Sequence, residues 1–297
     1  MPPKAIRTVR RIRDLRRTVA TWRGAGDVIA LVPTMGALHD GHLELVKLAR
    51  KKAARVVVSI FVNPTQFAAN EDLSRYPRDE AGDLAKLTTA QADLVWAPGV
   101  EEMYGPDFAS KIVPSGAALG LEGEIRPHHF GGVATVCAKL FNQVTPDCAV
   151  FGEKDYQQLC VIRQLVRDLD LDLKIIALPT VRESDGLARS SRNRYLSQAE
   201  RAVAPALFAG ISSVAVGARH LASARKFAGH PASALEALCR EASAKLLASG
   251  FSKVDYIAVR DATTLAPMGI LSPQSQMRVL AAAWLGTTRL IDNVPVA

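Results

Sequence analysis

VPTMGALHDGHL, Val32 to Leu43, ends an apolar run over 28–32 and opens a helix-like pattern over 43–54. This is a strand-to-helix corner, where the unpaired N–H groups of a helix N-terminus favour an anion such as phosphate. Gly36 and Gly41 allow the backbone to come close. His39 and His42, three apart, project to one side once the first turn has begun. Two imidazoles there can donate to phosphate oxygens as negative charge builds on a leaving group. Two plainer readings stay open: a glycine-containing packing corner, and half a zinc site. Zinc wants three or four protein ligands, and Cys137, Cys148, Cys160 and Cys239 supply no Cys-x-x-Cys partner.

Outward from this corner, strand-like runs over 28–32, 55–62 and 92–96 alternate with helix-like runs over 43–54 and 78–91. Continuous Val/Ile-rich strands in such alternation indicate an α/β fold, a Rossmann-like doubly wound parallel sheet covered on both faces. Ligands of that architecture sit at the carboxyl ends of strands near the topological switch point, which is where the corner falls. No G-x-G-x-x-G occurs, so a dinucleotide is not indicated. The pattern continues with a helix over 132–144 on a Val133, Val136, Leu140, Val144 stripe, strand 148–151, helix 155–169 and strand 173–178. Beyond Pro179 it becomes polar and basic. Past Gln198 it turns Ala-rich and helical over 198–216 and 231–249, then strand-like over 253–259, 277–283 and 289–293. The expected organisation is a Rossmann-like domain over 1–180 and a smaller α+β lid domain over 181–297.

The chain has 297 residues, 48% of them hydrophobic, enough for one large or two moderate cores. Its longest apolar runs are strand-sized, far short of a membrane span. Net charge is +8, and Lys4, Arg7, Arg10, Arg11, Arg13, Arg16, Arg17 and Arg23 face only Asp14. A nucleic-acid arm and an organelle transit peptide compete there with an amphipathic helix. Ile6, Val9, Ile12, Leu15 and Val19 recur at helical spacing and favour the helix. No apolar segment and cleavage site follow Met1, so secretion is not expected. The scattered cysteines read as reduced core residues of a cytoplasmic protein.

Four further stretches carry chemistry. FVNPTQF, Phe61 to Phe67, presents the neutral amides Asn63 and Gln66 at a strand's carboxyl end, fit for a polar substrate or simply a turn. The loop DLSRYPR, Asp72 to Arg78, follows; Asp79, Glu80 and Asp83 then suit a helix N-terminus through its dipole. Gly116 to Phe130 reads as a long surface loop, whose Arg126, His128 and His129 either cover an anion or stay solvated. GEKDYQQL, Gly152 to Leu159, is a second strand-to-helix corner. Lys154 there offers a point charge, Asp155 a cap or a ribose acceptor, and Gln158 lies one turn on. In TVRESDGLARSSRNRYLS, Ser190, Ser191 and Arg192 between Arg189 and Arg194 suit a triphosphate, or a solvated charge run.

TMGALHDGH is similar to the HxGH motif of the nucleotidyltransferase superfamily. With VPTMG, FVNPTQF, GEKDYQQL, SDGLARSSRNRYL, RPHHFGGVATV and AAWLGTTRLIDNV in order, the whole chain resembles the pantothenate synthetase (pantoate–β-alanine ligase) family. The resemblance implies an ATP-dependent ligase forming pantothenate through a pantoyl adenylate, with AMP and pyrophosphate released. It implies ATP contacts at Met35, Gly36, Ala37, Leu38, His39, Asp40, Gly41 and His42, the last being the counterpart of the family's proton donor. Gly152, Glu153, Lys154, Asp155, Val181, Arg189, Ser190, Ser191 and Arg192 complete that set, with Lys154 and Arg192 on the phosphates. Gln66 and Gln158 would bind pantoate, Gln66 also marking the β-alanine position. His39, His42, Lys154 and Arg192 form the catalytic group. Mg²⁺ accompanies ATP, without a protein ligand the sequence can name. The family further implies a homodimer through the larger domain, with neither nucleic acid nor membrane as partner. Arg189 departs from the family's apolar residue, either adding a phosphate ligand or perturbing the loop. The alternative within the superfamily is an enzyme adenylylating another acid or a mononucleotide.

Overall fold

Short β-branched runs separated by amphipathic ones fold here as the alternation predicts. The computed structural model describes residues 5–68, 73–223 and 231–296; Lys4 of the basic terminal run and Asp72 of the DLSRYPR loop lie outside them. The chain divides into two compact units, Met1–Gly152 with Val161–Pro179, and Glu153–Cys160 with Thr180–Ala297.

In the first unit β1 (Arg7–Val9), β2 (Ile29–Thr34), β3 (Arg55–Ile60), β4 (Leu94–Trp96), β5 (Cys148–Gly152) and β6 (Lys174–Leu178) form one sheet. Its order is β1-β4-β3-β2-β5-β6, with all neighbours parallel. Ile29 to Val32 and Val56 to Val58 are fully buried, as strands covered on both faces must be. Helix Asp40–Arg50 packs Leu45, Val46 and Ala49 against Val32, Val58 and Val95. Helix His129–Val144 buries the expected stripe of Val133, Val136, Leu140 and Val144. The Trp96 indole, buried in β4, is satisfied by donating to Gln143 Oε1 at 3.0 Å. From β2 the chain steps outward through β3 to β4, then returns to β5 on the other side of β2 and continues to β6. The switch point therefore lies at the carboxyl ends of β2 and β5.

The second unit is a three-stranded antiparallel sheet of β7 (Lys253–Asp261), β8 (Met277–Leu285) and β9 (Thr288–Val296), with β8 central. Helices Ala206–Ser223 and Pro231–Ala248 pack on it around Leu207, Ile211, Val214, Val279 and Ala281. Glu153–Cys160 belongs with this unit because its polar groups are held there: Tyr156 OH donates to Ala262 O at 2.8 Å.

Four local expectations are corrected. Ile6 and Val9 do not join the N-terminal helix. Residues 7–9 pair with β4, and the helix starts at Ile12, whose N–H donates to Glu102 Oε1 at 2.8 Å. No glycine or proline punctuates that change, so only the tertiary partner sets it. Residues 116–130 lie at the surface but are not one loop: they contain a helical turn over Gly116–Ala118 and helix Glu122–Ile125, with Ala117, Ala118 and Leu121 buried. Left-handed backbone at Gly116, Gly120 and Leu121 breaks the periodicity that would have revealed them. The next helix begins at His129 rather than Gly132. The Ala-rich helix expected over 198–216 is two helices, Gln198–Val203 and Ala206–Ser223, interrupted at Pro205.

Candidate active site

The corner leaving β2 is built by side chains that engage its amides. Thr34 Oγ1 donates to Ser59 O at 2.7 Å and accepts from Gly36 N at 3.2 Å. Gly36 has φ +79, and a Cβ there would press on Asp83 Oδ2 and Ile60 Cγ2, so the turn requires glycine. Asp83, 1% exposed, accepts from Ala37 N and Leu38 N at 2.8 Å each. Lys86 Nζ donates to Leu38 O at 2.8 Å and lies 3.7 Å from Asp83 Oδ1.

His39 is the N-cap of helix Asp40–Arg50. Its Nδ1 accepts from Gly41 N at 3.1 Å, while His42 Nδ1 accepts from His39 N at 3.3 Å. The two histidines thus make a reciprocal capping box, with ring centroids 4.1 Å apart. A ring nitrogen that accepts an N–H carries no proton of its own, so each neutral imidazole holds its proton on Nε2. The expectation of free corner amides facing a phosphate is therefore corrected. The N–H groups of Gly36, Ala37, Leu38, His39 and Gly41 all have acceptors within the chain. What this corner holds ready is a close pair of imidazoles, tilted 36° to each other, each with Nε2 left to donate.

The amide-bearing loop after β3 is equally built. Asn63, 1% exposed, accepts through Oδ1 from Thr65 N, Thr65 Oγ1 and Tyr104 OH. Its Nδ2 donates to Gln66 Oε1 at 3.1 Å and Gly132 O at 3.2 Å. Asn63 is thus committed to the loop, whereas Gln66, 9% exposed, reaches back to Met35 Sδ at 3.1 Å. That contact joins the FVNPTQF loop to the VPTMG corner. Arg126 Nη2 and His129 Nδ1 both donate to Gln66 O, at 3.3 and 3.1 Å. Arg126 and His129 are thus not simply solvated, since both brace the Gln66 backbone. Gly132 is the other requirement, since a Cβ would lie 2.3 Å from Thr65 O.

In the second unit, Glu153–Asp155 forms a helical turn with Lys154 Nζ 3.7 Å from Asp155 Oδ1. Gln158 is partly exposed on the helix that follows, beside the buried Gln157. Val181 O accepts from Arg189 N at 2.9 Å, closing a hairpin through the bridge Arg182↔Ala188. Ser190 caps the turn Ser191–Tyr195, accepting from Arg192 N at 3.2 Å. Arg189 pairs with Glu183 at 3.2 Å, so the residue that departs from the family's pattern meets a carboxylate within its own hairpin. Gly152 stands at the end of β5 in the first unit, paired with Leu178.

Asp83 was legible only as a helix-dipole carboxylate, a role its neighbour Asp79 does fill by capping Gly82 N at 3.0 Å. Its four-residue spacing from the buried Leu87 placed it on the inner face of that helix, a signal for a different role.

The family model described as pantoate-beta-alanine ligase matches residues 7–295. A pantothenate synthetase of Mesorhizobium japonicum is 54% identical over 289 residues, covering 97% of both chains, and one of Paramagnetospirillum magneticum is 52% identical, covering 98% of both. The crystal structure of the Thermus thermophilus pantothenate synthetase superposes with a TM-score of 0.85 at 44% identity, over 98% of this chain and 99% of that one. The Francisella tularensis pantoate-beta-alanine ligase, crystallised with β,γ-ATP and β-alanine, gives 0.76 at 31% identity, over 98% of each chain. With its histidine corner, braced amide loop and Lys154 turn all in place, the chain belongs to the pantoate–β-alanine ligase family.

Proposed function

We infer that the chain condenses (R)-pantoate with β-alanine using ATP, releasing AMP and pyrophosphate. A carboxylate does not condense with an amine in water unless activated. One pantoate carboxylate oxygen attacks the α-phosphorus of ATP, the bond to the β-phosphate oxygen breaks, and pyrophosphate leaves. The β-alanine amine then attacks the acyl carbonyl of the pantoyl adenylate; it loses its proton as AMP departs. No protein nucleophile is needed, so the side chains position groups and stabilise charge.

The observation that carries this reading is the reciprocal histidine cap, which commits His39 and His42 to Nε2–H donors. His42 acts on phosphate oxygens as pyrophosphate leaves, with His39 beside it. Because their amides are engaged, Gly36, Ala37, Leu38 and Gly41 contribute shape to the ATP site, beside Met35 and Asp40. Lys154 and Arg192 meet the phosphates; Gly152, Glu153, Asp155, Val181, Arg189, Ser190 and Ser191 complete the nucleotide contacts. Gln66, rigidly braced, and Gln158 receive pantoate. Mg²⁺ enters with ATP. Among the described residues no group of three or more His, Cys, Asp or Glu side chains forms a cage, and such an ion is held largely by phosphates and water.

A cytoplasmic location fits the four buried free thiols Cys137, Cys148, Cys160 and Cys239. A homodimer through the first unit fits edge strand β6, where Ile175, Ile176 and Leu178 remain partly exposed; gel filtration tests it. For the chemistry, the protein is incubated with ATP, Mg²⁺ and D-pantoate, with and without β-alanine. Pyrophosphate appearing on pantoate alone, and free AMP with pantothenate only after β-alanine, is the expected result. Pyrophosphate release with another acid or a mononucleotide but not with pantoate overturns it.

A further inference from the structure

In the second unit, two segments of the nucleotide reading hang on one buried dipeptide of β9. Asn293, 2% exposed, donates through Nδ2 to the carbonyls of Glu153 at 2.8 Å and Lys154 at 2.9 Å. Its Oδ1 accepts from Arg278 Nε at 2.7 Å, and Arg278 in turn donates to Glu153 Oε2 at 2.9 Å. Asp292, 4% exposed, takes the Arg182 fork at 2.7 and 2.9 Å and accepts from Asn293 N at 2.7 Å. Arg182 also donates to Gly186 O at 3.0 Å and lies 3.9 Å over the Phe208 ring. It opens the hairpin whose far strand runs into Ser190, Ser191 and Arg192.

Burying an ion pair adds little stability over apolar residues of the same volume, because desolvation offsets the attraction. Around it the unit packs apolar side chains such as Leu207, Ile211 and Val279. The polar network instead holds the Lys154 backbone directly and, at Arg182, the hairpin that leads to Arg192.

We propose that Asp292 and Asn293 are positioning residues for adenylate formation, holding the Lys154 turn and the Ser190–Arg192 loop at one separation so that both deliver their phosphate ligands together. This rests on the ATP-binding reading above. Asn293→Asp keeps the side-chain shape and the Arg278 partner but turns a donor into an oxygen facing two carbonyl oxygens. Asp292→Asn weakens the Arg182 fork from the other side.

Each variant is expected to slow pantoate-dependent pyrophosphate release about tenfold or more, charged and buried hydrogen bonds being the strong ones. Reaction of preformed pantoyl adenylate with β-alanine, which no longer involves the β- and γ-phosphates, stays within about threefold of the unaltered protein. Amide hydrogen exchange accelerates in residues 153–160 and 181–192 together. Equal slowing of both half-reactions, or unchanged pyrophosphate release, overturns the proposal. Should Asn293→Asp not fold, Asp292→Asn and Arg182→Lys carry the same test. Should the unaltered protein release no pyrophosphate on pantoate, the ATP reading fails by itself. Joint acceleration of exchange then still supports the tie between the segments, and acceleration of only one overturns it.

Discussion

Replacing Asp83 tests whether a buried carboxylate holds the histidine corner. In Asp83→Ala the N–H groups of Ala37 and Leu38 lose their acceptor, and Lys86 loses the carboxylate 3.7 Å away. A buried donor left unsatisfied costs about 1–3 kcal/mol, so the two together cost about 2–6 kcal/mol. That is a large part of the roughly 5–15 kcal/mol that stabilises a typical domain. Asp83→Asn is the sharper probe. It preserves volume and one acceptor oxygen but sets an NH₂ group against the second amide, for a loss of about 1–3 kcal/mol. The freed end of the corner also shifts Leu38, which precedes the His39 cap. A misplacement of about 1 Å far from the chemistry costs roughly a hundredfold in rate. Urea unfolding of Asp83→Asn and its pantoate-dependent pyrophosphate release measure both effects. A variant within about 0.5 kcal/mol of the unaltered protein, with pyrophosphate release unchanged, refutes the clamp.

Three further outcomes follow from the geometry. His42→Ala is expected to lose roughly 2.7–4 kcal/mol of transition-state stabilisation, seen as a fall in kcat for pyrophosphate release, beside a smaller loss of about 0.5–2 kcal/mol of stability as His39 N–H loses its cap acceptor. Gly132→Ala drives a Cβ to 2.3 Å from Thr65 O; overpacking of about 1–3 kcal/mol moves the Gln66 loop, and KM for pantoate rises more than KM for ATP. Burial alone raises the Asp147 carboxyl, but Arg23 at 2.7 Å and the Ile29 N–H hold it below the usual carboxylate value on balance. A lowered folded-state pKa means a stabilisation fully present above the unfolded value of about 3.9 and lost as the pH falls through the folded one. Asp147→Asn should therefore flatten the acid limb of stability against pH, measured by urea midpoints.

Much of the first unit was legible because its signals are local. Buried strands such as β2 and β3 announce themselves as unbroken Val/Ile runs, and helix His129–Val144 by a stripe at helical spacing. β1 escaped because Ile6 and Val9 also fit a helical stripe, and only the pairing of residues 7–9 with β4 decides otherwise. The short helices over 116–125 escaped because left-handed residues interrupt any period.

By itself the sequence determined the parallel α/β sheet, the position of the strand-to-helix corners and the residue types presented there, since burial pattern and turn chemistry are written within a few residues. It placed the two histidines three apart, but their tautomers depend on which amides they cap. Only the tertiary structure decided that Asp83, some 46 residues from Ala37, absorbs the corner amides, and that Asn293, some 140 residues from Glu153, holds the Lys154 turn. A hydrogen bond depends on distance and direction in space, and the hydrophobic pattern of a chain carries neither across such separations.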